Sequence, residues 1–295
     1  MSSSLGSSEL VLNPDGSIYH LNLLPEDIAS TIITVGDPQR VKEVSKYFDS
    51  IEVKKSKREF VTHTGQFSGK RISVISTGIG TDNIDIVFNE LDALANIDFT
   101  TRQAKTNTTK LNFIRVGTSG SLQADIPVDS FLISSVGIGF DNLMHFYDCG
   151  HIKNMELEQA LAAYLGWSKY NIHPYAVDVD KDLSTIFKSN RIRFGATGTN
   201  SGFYGPQGRV LRLAPTIKDF NEKLSEFSHG NIRITNLEME TAAIYGIAKL
   251  LGHRAVSLNA ILANRATGEF SDQGHKTIDE LIQYTLKCIA DSQLV

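Results

Sequence analysis

The chain has 295 residues, of which 41% are hydrophobic and 21% charged, and a formal net charge of -4. This length can bury a substantial core in an ordinary globular protein, and the charge argues against a general nucleic-acid or membrane-surface binder. No apolar run approaches membrane-spanning length and no secretory signal is visible. Cys149 and Cys288 lack zinc-type or redox spacing, so free thiols in a reducing cytoplasm are expected.

In chain order, a Ser-rich start suggests a flexible segment over residues 1–18, followed by one domain over 19–295. Short β-branched runs at 32–35, 72–76, 113–116, 131–135, 175–179, 194–197 and 255–263 read as strands. Between them lie amphipathic helical patterns at 82–96, 154–165, 239–251 and 277–290. Gly166 is a natural C-terminal cap for the second of these. Thr216 and Asp219 resemble a capping box opening a further helix through Phe220 and Leu224. Residues 98–110 read as a polar surface excursion. The alternation predicts a single-domain three-layer α/β/α fold around a central mixed sheet.

Four segments carry chemistry. Residues 31–40, Thr-Ile-Ile-Thr-Val-Gly-Asp-Pro-Gln-Arg, form a strand ending in glycine, a turn, and an arginine opening a helix. Such a corner can cradle an oxyanion with backbone N–H groups, and Arg40 adds a charged donor. It is neither a Walker loop nor a dinucleotide fingerprint, because the glycine and lysine spacing is wrong. Residues 113–120, Phe-Ile-Arg-Val-Gly-Thr-Ser-Gly, offer a second corner, where Arg115 within an apolar strand requires an anion or an ion pair. Residues 203–209, Phe-Tyr-Gly-Pro-Gln-Gly-Arg, place a ring, an amide and a guanidinium on one turn. These suit the face and edge of a nucleobase that shows carbonyl oxygens and an N–H. In Glu238-Met239-Glu240 two carboxylates flank a thioether, a pattern suited to vicinal sugar hydroxyls above an apolar floor.

Together with Arg58-Glu59-Phe60, residues 76–80 (Ser-Thr-Gly-Ile-Gly) and Asn264-Arg265, these motifs resemble the nucleoside phosphorylase family, in its uridine phosphorylase branch. The resemblance spans residues 19–288. It implies that Gly36, Arg40, Arg115 and Thr118 hold phosphate, and that Arg58 reaches the same phosphate from a neighbouring subunit. It implies that His20 crosses the interface to the ribose 5′-hydroxyl, that Glu240 takes the 2′- and 3′-hydroxyls, and that Met239 packs under the sugar with Glu238 nearby. Phe203 would stack on the base, Gln207 and Arg209 would read its edge and act in catalysis, and Arg265 would support them.

The implied reaction is phosphorolysis of a pyrimidine nucleoside to the base and ribose 1-phosphate, with phosphate as co-substrate and no cofactor or metal required. Some relatives bind K+ or Na+ at positions matching Glu59, Ile79 and Asn83. Here Thr81-Asp82-Asn83 replaces the usual Gly-Pro-Ser. The family assembles as dimers, or as hexamers built from dimers that share active sites. Purine phosphorylases of this fold place an aspartate where this chain has Asn264-Arg265, which favours uracil. A purine phosphorylase, a methylthioadenosine/S-adenosylhomocysteine-type nucleosidase and a non-catalytic nucleoside-binding protein are the alternatives.

Overall fold

Buried β-branched runs build the middle of the sheet and amphipathic stretches cover it. The computed structural model describes residues 4–294. It begins with β1 (Thr31–Val35), α1 (Pro38–Ser45), β2 (Ser50–Lys57), β3 (Phe60–Phe67), β4 (Lys70–Ser76) and α2 (Thr81–Asn96). Next come β5 (Ile97–Asp98), β6 (Gln103–Ala104), β7 (Asn112–Ser121), β8 (Phe131–Gly139), α3 (Met155–Leu165), β9 (Tyr175–Asp178) and α4 (Lys181–Ile186). The chain finishes with β10 (Ile192–Thr199), α5 (Phe220–Glu226), β11 (Ser228–His229), β12 (Ile232–Glu238), α6 (Thr241–Leu250), β13 (Arg254–Asn264), β14 (Glu269–Phe270) and α7 (Gly274–Asp291).

The main sheet runs β11-β12-β10-β8-β13-β7-β1-β4-β3-β2 and is mixed. Its central pairs β1–β4, β1–β7, β7–β13 and β8–β10 are parallel. Three layers follow from strand alternation. Ile32 and Phe113 join the cluster formed with α2 and α6, whereas their neighbours Ile33 and Ile114 join the one formed with α1, α4 and α7. A third cluster holds α3 and α5. The expected architecture is therefore present, with one addition. β12 pairs with β10 and also, antiparallel, with β7 at Asn236–Ser121 and Leu237–Gly120. The strands β7, β13, β8, β10 and β12 thus close into a ring.

Several expected boundaries change for physical reasons. β7 continues to Ser121 because Gly117 to Ser121 stay paired with β13, with a register shift between Ile261 and Ala263. Glu238 ends a strand, where a helix start is expected, and α6 begins only at Thr241. The capping box at Thr216 and Asp219 does not form. Asp219 is the N-cap of α5 without a side-chain capping bond, and its carboxylate instead lies 3.2 Å from Lys223. Asn154 and Gly166 behave as expected: Asn154 Oδ1 accepts from Leu157 N at 3.2 Å, and Gly166 takes φ 61°.

The expected flexible segment also needs correction over its described part. Leu10 and Ile18 are buried in the core. The excursion folds into the β5–β6 hairpin, where Arg102 donates to the carbonyls of Leu5 (2.8 Å), Gly6 (2.8 Å) and Leu10 (2.5 Å). Residues 1–3 lie outside the described residues. No described helix is long and apolar enough to cross a membrane.

Candidate active site

A cleft of about 740 Å³ opens at the carboxyl ends of β1, β7, β12 and β13 and is closed on one side by the 203–209 loop. Such crevices at parallel strand ends are where open α/β sheets bind ligands. At its anion end, β1 stops at Val35 and Gly36 turns the chain into α1, where Asp37 Oδ1 caps Gln39 N at 2.8 Å. Arg40 sits on the first turn of α1 and lines the cleft, and its buried Nε has no hydrogen-bond partner. Burial and then the nearby Arg115 lower its pKa, so a bound anion would meet a guanidinium that no carboxylate among the described residues pairs directly.

Arg115 lies over its own strand because Gly117 follows two residues later on the same face. A β-carbon at Gly117 would stand 1.7 Å from Arg115 Nη1. Its Nη2 lies 2.5 Å from Glu240 Oε2 and 3.2 Å from Glu238 Oε2, and its Nη1 donates to Asn259 Oδ1 at 3.1 Å. The ion pair and the cleft-lining position expected as alternatives for Arg115 therefore coexist. Thr118 lines the cleft beside it.

The two glutamates separate in role. Glu238 is already saturated: it accepts from Thr199 Oγ1 at 2.6 Å, Glu240 N at 2.9 Å and Thr241 N at 3.0 Å, holding the start of α6. Its oxygens are thus engaged within the chain, although Glu238 still lines the cleft. Glu240 accepts from Gly80 N at 2.8 Å and from Arg115, and keeps lone pairs for a further donor. Burial pushes the Glu240 carboxyl above its ordinary range against the pull of Arg115, while the two carboxylates hold Arg115 protonated. Met239 lines the cleft between them.

At the other end, Gly205–Gln207 forms a single 3-10 turn ended by Gly208 at φ 68°, a backbone state that favours glycine. Arg209 lies over the Phe203 ring, 3.7 Å from its centroid, and donates to Phe203 O at 2.6 Å and Gln207 Oε1 at 2.7 Å. Arg265 approaches from the other side, donating to Gln207 O at 2.5 Å and to the same Oε1 at 2.7 Å. The amide carbonyl of Gln207 is thus committed twice, and its NH2 remains as the group available to a ligand. The sequence reading offered both. Arg265, grouped with Gln207 and Arg209 in the expected catalytic set, does not line the cleft and touches Gln207 instead. Neither arginine has an acidic partner among the described residues. Burial, reinforced by Arg209, pushes the Arg265 pKa down to about 10.

Two further expected residues, besides Arg265, lie outside the cleft. Arg58 is exposed at the tip of the β2–β3 hairpin with φ 56°, an uncommon conformation for a non-glycine residue. His20 is held by Glu90, which lies 2.6 Å from its Nδ1 and accepts from the backbone N–H of His20 (3.1 Å) and Leu21 (2.9 Å). Glu59, Ile79 and Asn83 do line the cleft. Sequence reasoning missed Ser119, Leu262, Phe270 and Glu90. For Ser119 the signal was its period-2 spacing from Arg115 along a strand read too short.

A sequence profile described as the phosphorylase superfamily matches residues 30–290. The chain is 29% identical to a uridine phosphorylase of Thermococcus kodakarensis over 97% of this chain and 91% of that protein. It is 28% identical to a purine nucleoside phosphorylase of Shewanella denitrificans over 90% and 96%. In structure it is similar to a Trypanosoma brucei nucleoside phosphorylase described as showing uridine phosphorylase activity, with a TM-score of 0.86 and 28% identity, covering 96% of this chain and 100% of that one.

Proposed function

The chain belongs to the phosphorylase superfamily, and we propose that within it this protein catalyses the reversible phosphorolysis of uridine to uracil and ribose 1-phosphate. The observation that carries the reading is the pair of guanidinium groups, Arg209 and Arg265, meeting on Gln207 with no acidic counter-charge among the described residues. A departing uracil gathers negative charge on its oxygens and ring nitrogen, and fixed positive donors stabilise that charge as it develops.

Phosphate at Gly36, Arg40, Arg115 and Thr118 would sit beneath C1′ while Glu240 takes the 2′- and 3′-hydroxyls over Met239. The C1′–N bond lengthens and positive charge grows on the ribose. The phosphate oxygen then forms the new bond to C1′ with inversion as the electron pair leaves with the base. Holding both reactants in place is worth on the order of 7 kcal/mol or more in well-oriented cases.

Formal charge supports shared sites. Within one chain, Arg40 and Arg115 are balanced by Glu238 and Glu240, so a dianion would find no net positive charge there. Arg58, exposed on its strained turn, would supply the missing cation to a partner's site, and His20 would cross with it to the 5′-hydroxyl. A dimer, alone or within a hexamer, is the assembly this requires. We place the enzyme in the cytoplasm. Asn83 keeps a carbonyl at the position of the relatives' K+ or Na+ site with Glu59 and Ile79, so a monovalent cation there belongs to the same proposal.

A purine substrate is disfavoured at Asn264. Its Nδ2 donates to Gln123 O (3.0 Å) and Ile126 O (2.9 Å), and its Oδ1 accepts from Ala266 N (2.9 Å) and Thr267 N (3.1 Å). That side chain is spent on the turn, and no acid stands in its place. The test follows ultraviolet absorbance with uridine, thymidine, inosine and methylthioadenosine, each with and without phosphate. Uridine loss only with phosphate is expected. Phosphate-independent cleavage of methylthioadenosine would replace the proposal with a nucleosidase, faster loss of inosine with a purine phosphorylase, and tight uridine binding without turnover with a silent binder.

A further inference from the structure

Beneath the cleft, buried polar side chains of the strand ring connect Arg115 to Ser119 in one unbroken series. Arg115 Nη1 donates to Asn259 Oδ1 at 3.1 Å, and Asn259 Nδ2 reaches Ser134 Oγ at 3.1 Å. Ser134 Oγ lies 2.5 Å from Thr197 Oγ1, which is 2.9 Å from Asn236 Oδ1, and Asn236 Nδ2 is 2.9 Å from Ser119 Oγ. All six side chains are buried.

The direction of this series is fixed by its first member. A guanidinium only donates, so Asn259 must turn its oxygen to Arg115 and its NH2 to Ser134. Ser134 Oγ then accepts from Asn259 and has one other partner, Thr197, which must receive its proton. Thr197 in turn gives its own proton to Asn236 Oδ1, and Asn236 offers its NH2 to Ser119. Ser119 Oγ therefore accepts from below, and its own hydrogen has no acceptor within the described chain. Ser119 also lines the cleft.

We propose that Ser119 donates a hydrogen bond to the bound nucleoside, and that its acceptor is the base carbonyl oxygen beside the glycosidic bond, O2 of a pyrimidine. Its place in the cleft selects that atom. Thr118 before it belongs to the anion end, and Gly120 after it approaches Arg265, which holds Gln207 (a β-carbon at Gly120 would lie 3.5 Å from Arg265 Nε). Ser119 thus stands between phosphate and base edge, where the bond joining sugar to base has to lie. O2 is the pyrimidine oxygen next to that bond and gains charge as the bond breaks. A single buried hydroxyl, oriented from the anion side by Arg115, then stabilises the leaving group from the side opposite Gln207 and Arg209.

The inference rests on the proposed uridine reaction, so wild-type phosphorolysis of uridine is the control; its absence would sink that reading and leave Ser119 unassigned to it. Given that activity, Ser119→Ala is measured on uridine and on 2-thiouridine, whose sulfur accepts hydrogen bonds poorly. Loss of one such donor should lower kcat/KM for uridine roughly 10- to 100-fold, with less than about a threefold change for 2-thiouridine and an unchanged KM for phosphate. Asn236→Asp supplies a second arm. A carboxylate can only accept, so Ser119 would turn its proton away from the cleft, and uridine alone should again suffer. Equal losses on both nucleosides, or none on uridine, would overturn the assignment. Ser119→Ala removes a single oxygen, so it gives an answer even where Asn236→Asp fails to fold, as thermal melting will reveal.

Discussion

The two ends of the cleft manage positive charge in opposite ways. At the anion end Arg115 is deeply buried and locked between Glu238 and Glu240, on strands that belong to the closed ring. At the base end Arg209 and Arg265 converge on one amide without any carboxylate, on a loop and a strand end at the rim. The first arrangement is rigid because removing either partner strands a buried charge. The second is left uncompensated, and so is prepared for charge that exists only while the glycosidic bond is breaking. In the proposed reaction Arg115 thus combines structural pairing with phosphate binding, whereas Arg209 and Arg265 serve the leaving base.

That contrast can be broken at several points. The largest effect is expected for Arg209→Ala, which should lower kcat about 100- to 1,000-fold, as loss of an oxyanion-type donor does, with little change in melting temperature or KM for phosphate. An unchanged kcat on uridine would remove Arg209 from the mechanism. Arg115→Met should instead act on the fold, costing about 3–5 kcal/mol in denaturant unfolding by leaving two buried carboxylates with their guanidinium gone. Arg40→Met is its counterpart: it removes a half-buried guanidinium with no ion-pair partner among the described residues, so stability should hold or rise while KM for phosphate increases at least about tenfold, the loss of a charged hydrogen bond. If both variants destabilise equally, the structural role given to Arg115 and withheld from Arg40 fails.

Shared sites make a further prediction. Arg58→Ala and Arg209→Ala, each inactive alone, should regain part of the activity when mixed and allowed to exchange subunits, because one hybrid site receives both arginines intact. No recovery after confirmed exchange would place Arg58 outside the partner's site.

The smallest expected effect is on pH. Glu240 must be ionised to accept sugar hydroxyls, and burial raises its pKa, so kcat/KM for uridine should fall as pH drops through a value above the ordinary carboxylate range near 4.3. For stability the sign runs the other way. A raised folded-state pKa means that the contribution of Glu240 is fully present below its unfolded pKa and is lost as pH rises through the folded one. Opposite slopes of activity and of this stability contribution, both flattened in Glu240→Gln, would show that one group produces them.

The strand-helix alternation, the glycine-ended corner after β1 and the glycine-rich turn at 203–209 were legible from residues alone, because each depends on local spacing: period 2 in strands, 3.6 in helices, Gly at turns. Sequence placed Arg115, Glu238 and Glu240 at one site. Only the tertiary structure decided that Glu238 is exhausted by Thr199, Glu240 and Thr241, that Gln207 presents its NH2, and that β12 closes back on β7. Each of those outcomes includes a partner distant in the chain, 39 residues away for Thr199–Glu238 and 58 for Gln207–Arg265. A side chain's chemistry is written in its type. Which of its lone pairs and protons remain free is settled only when distant strands are brought together.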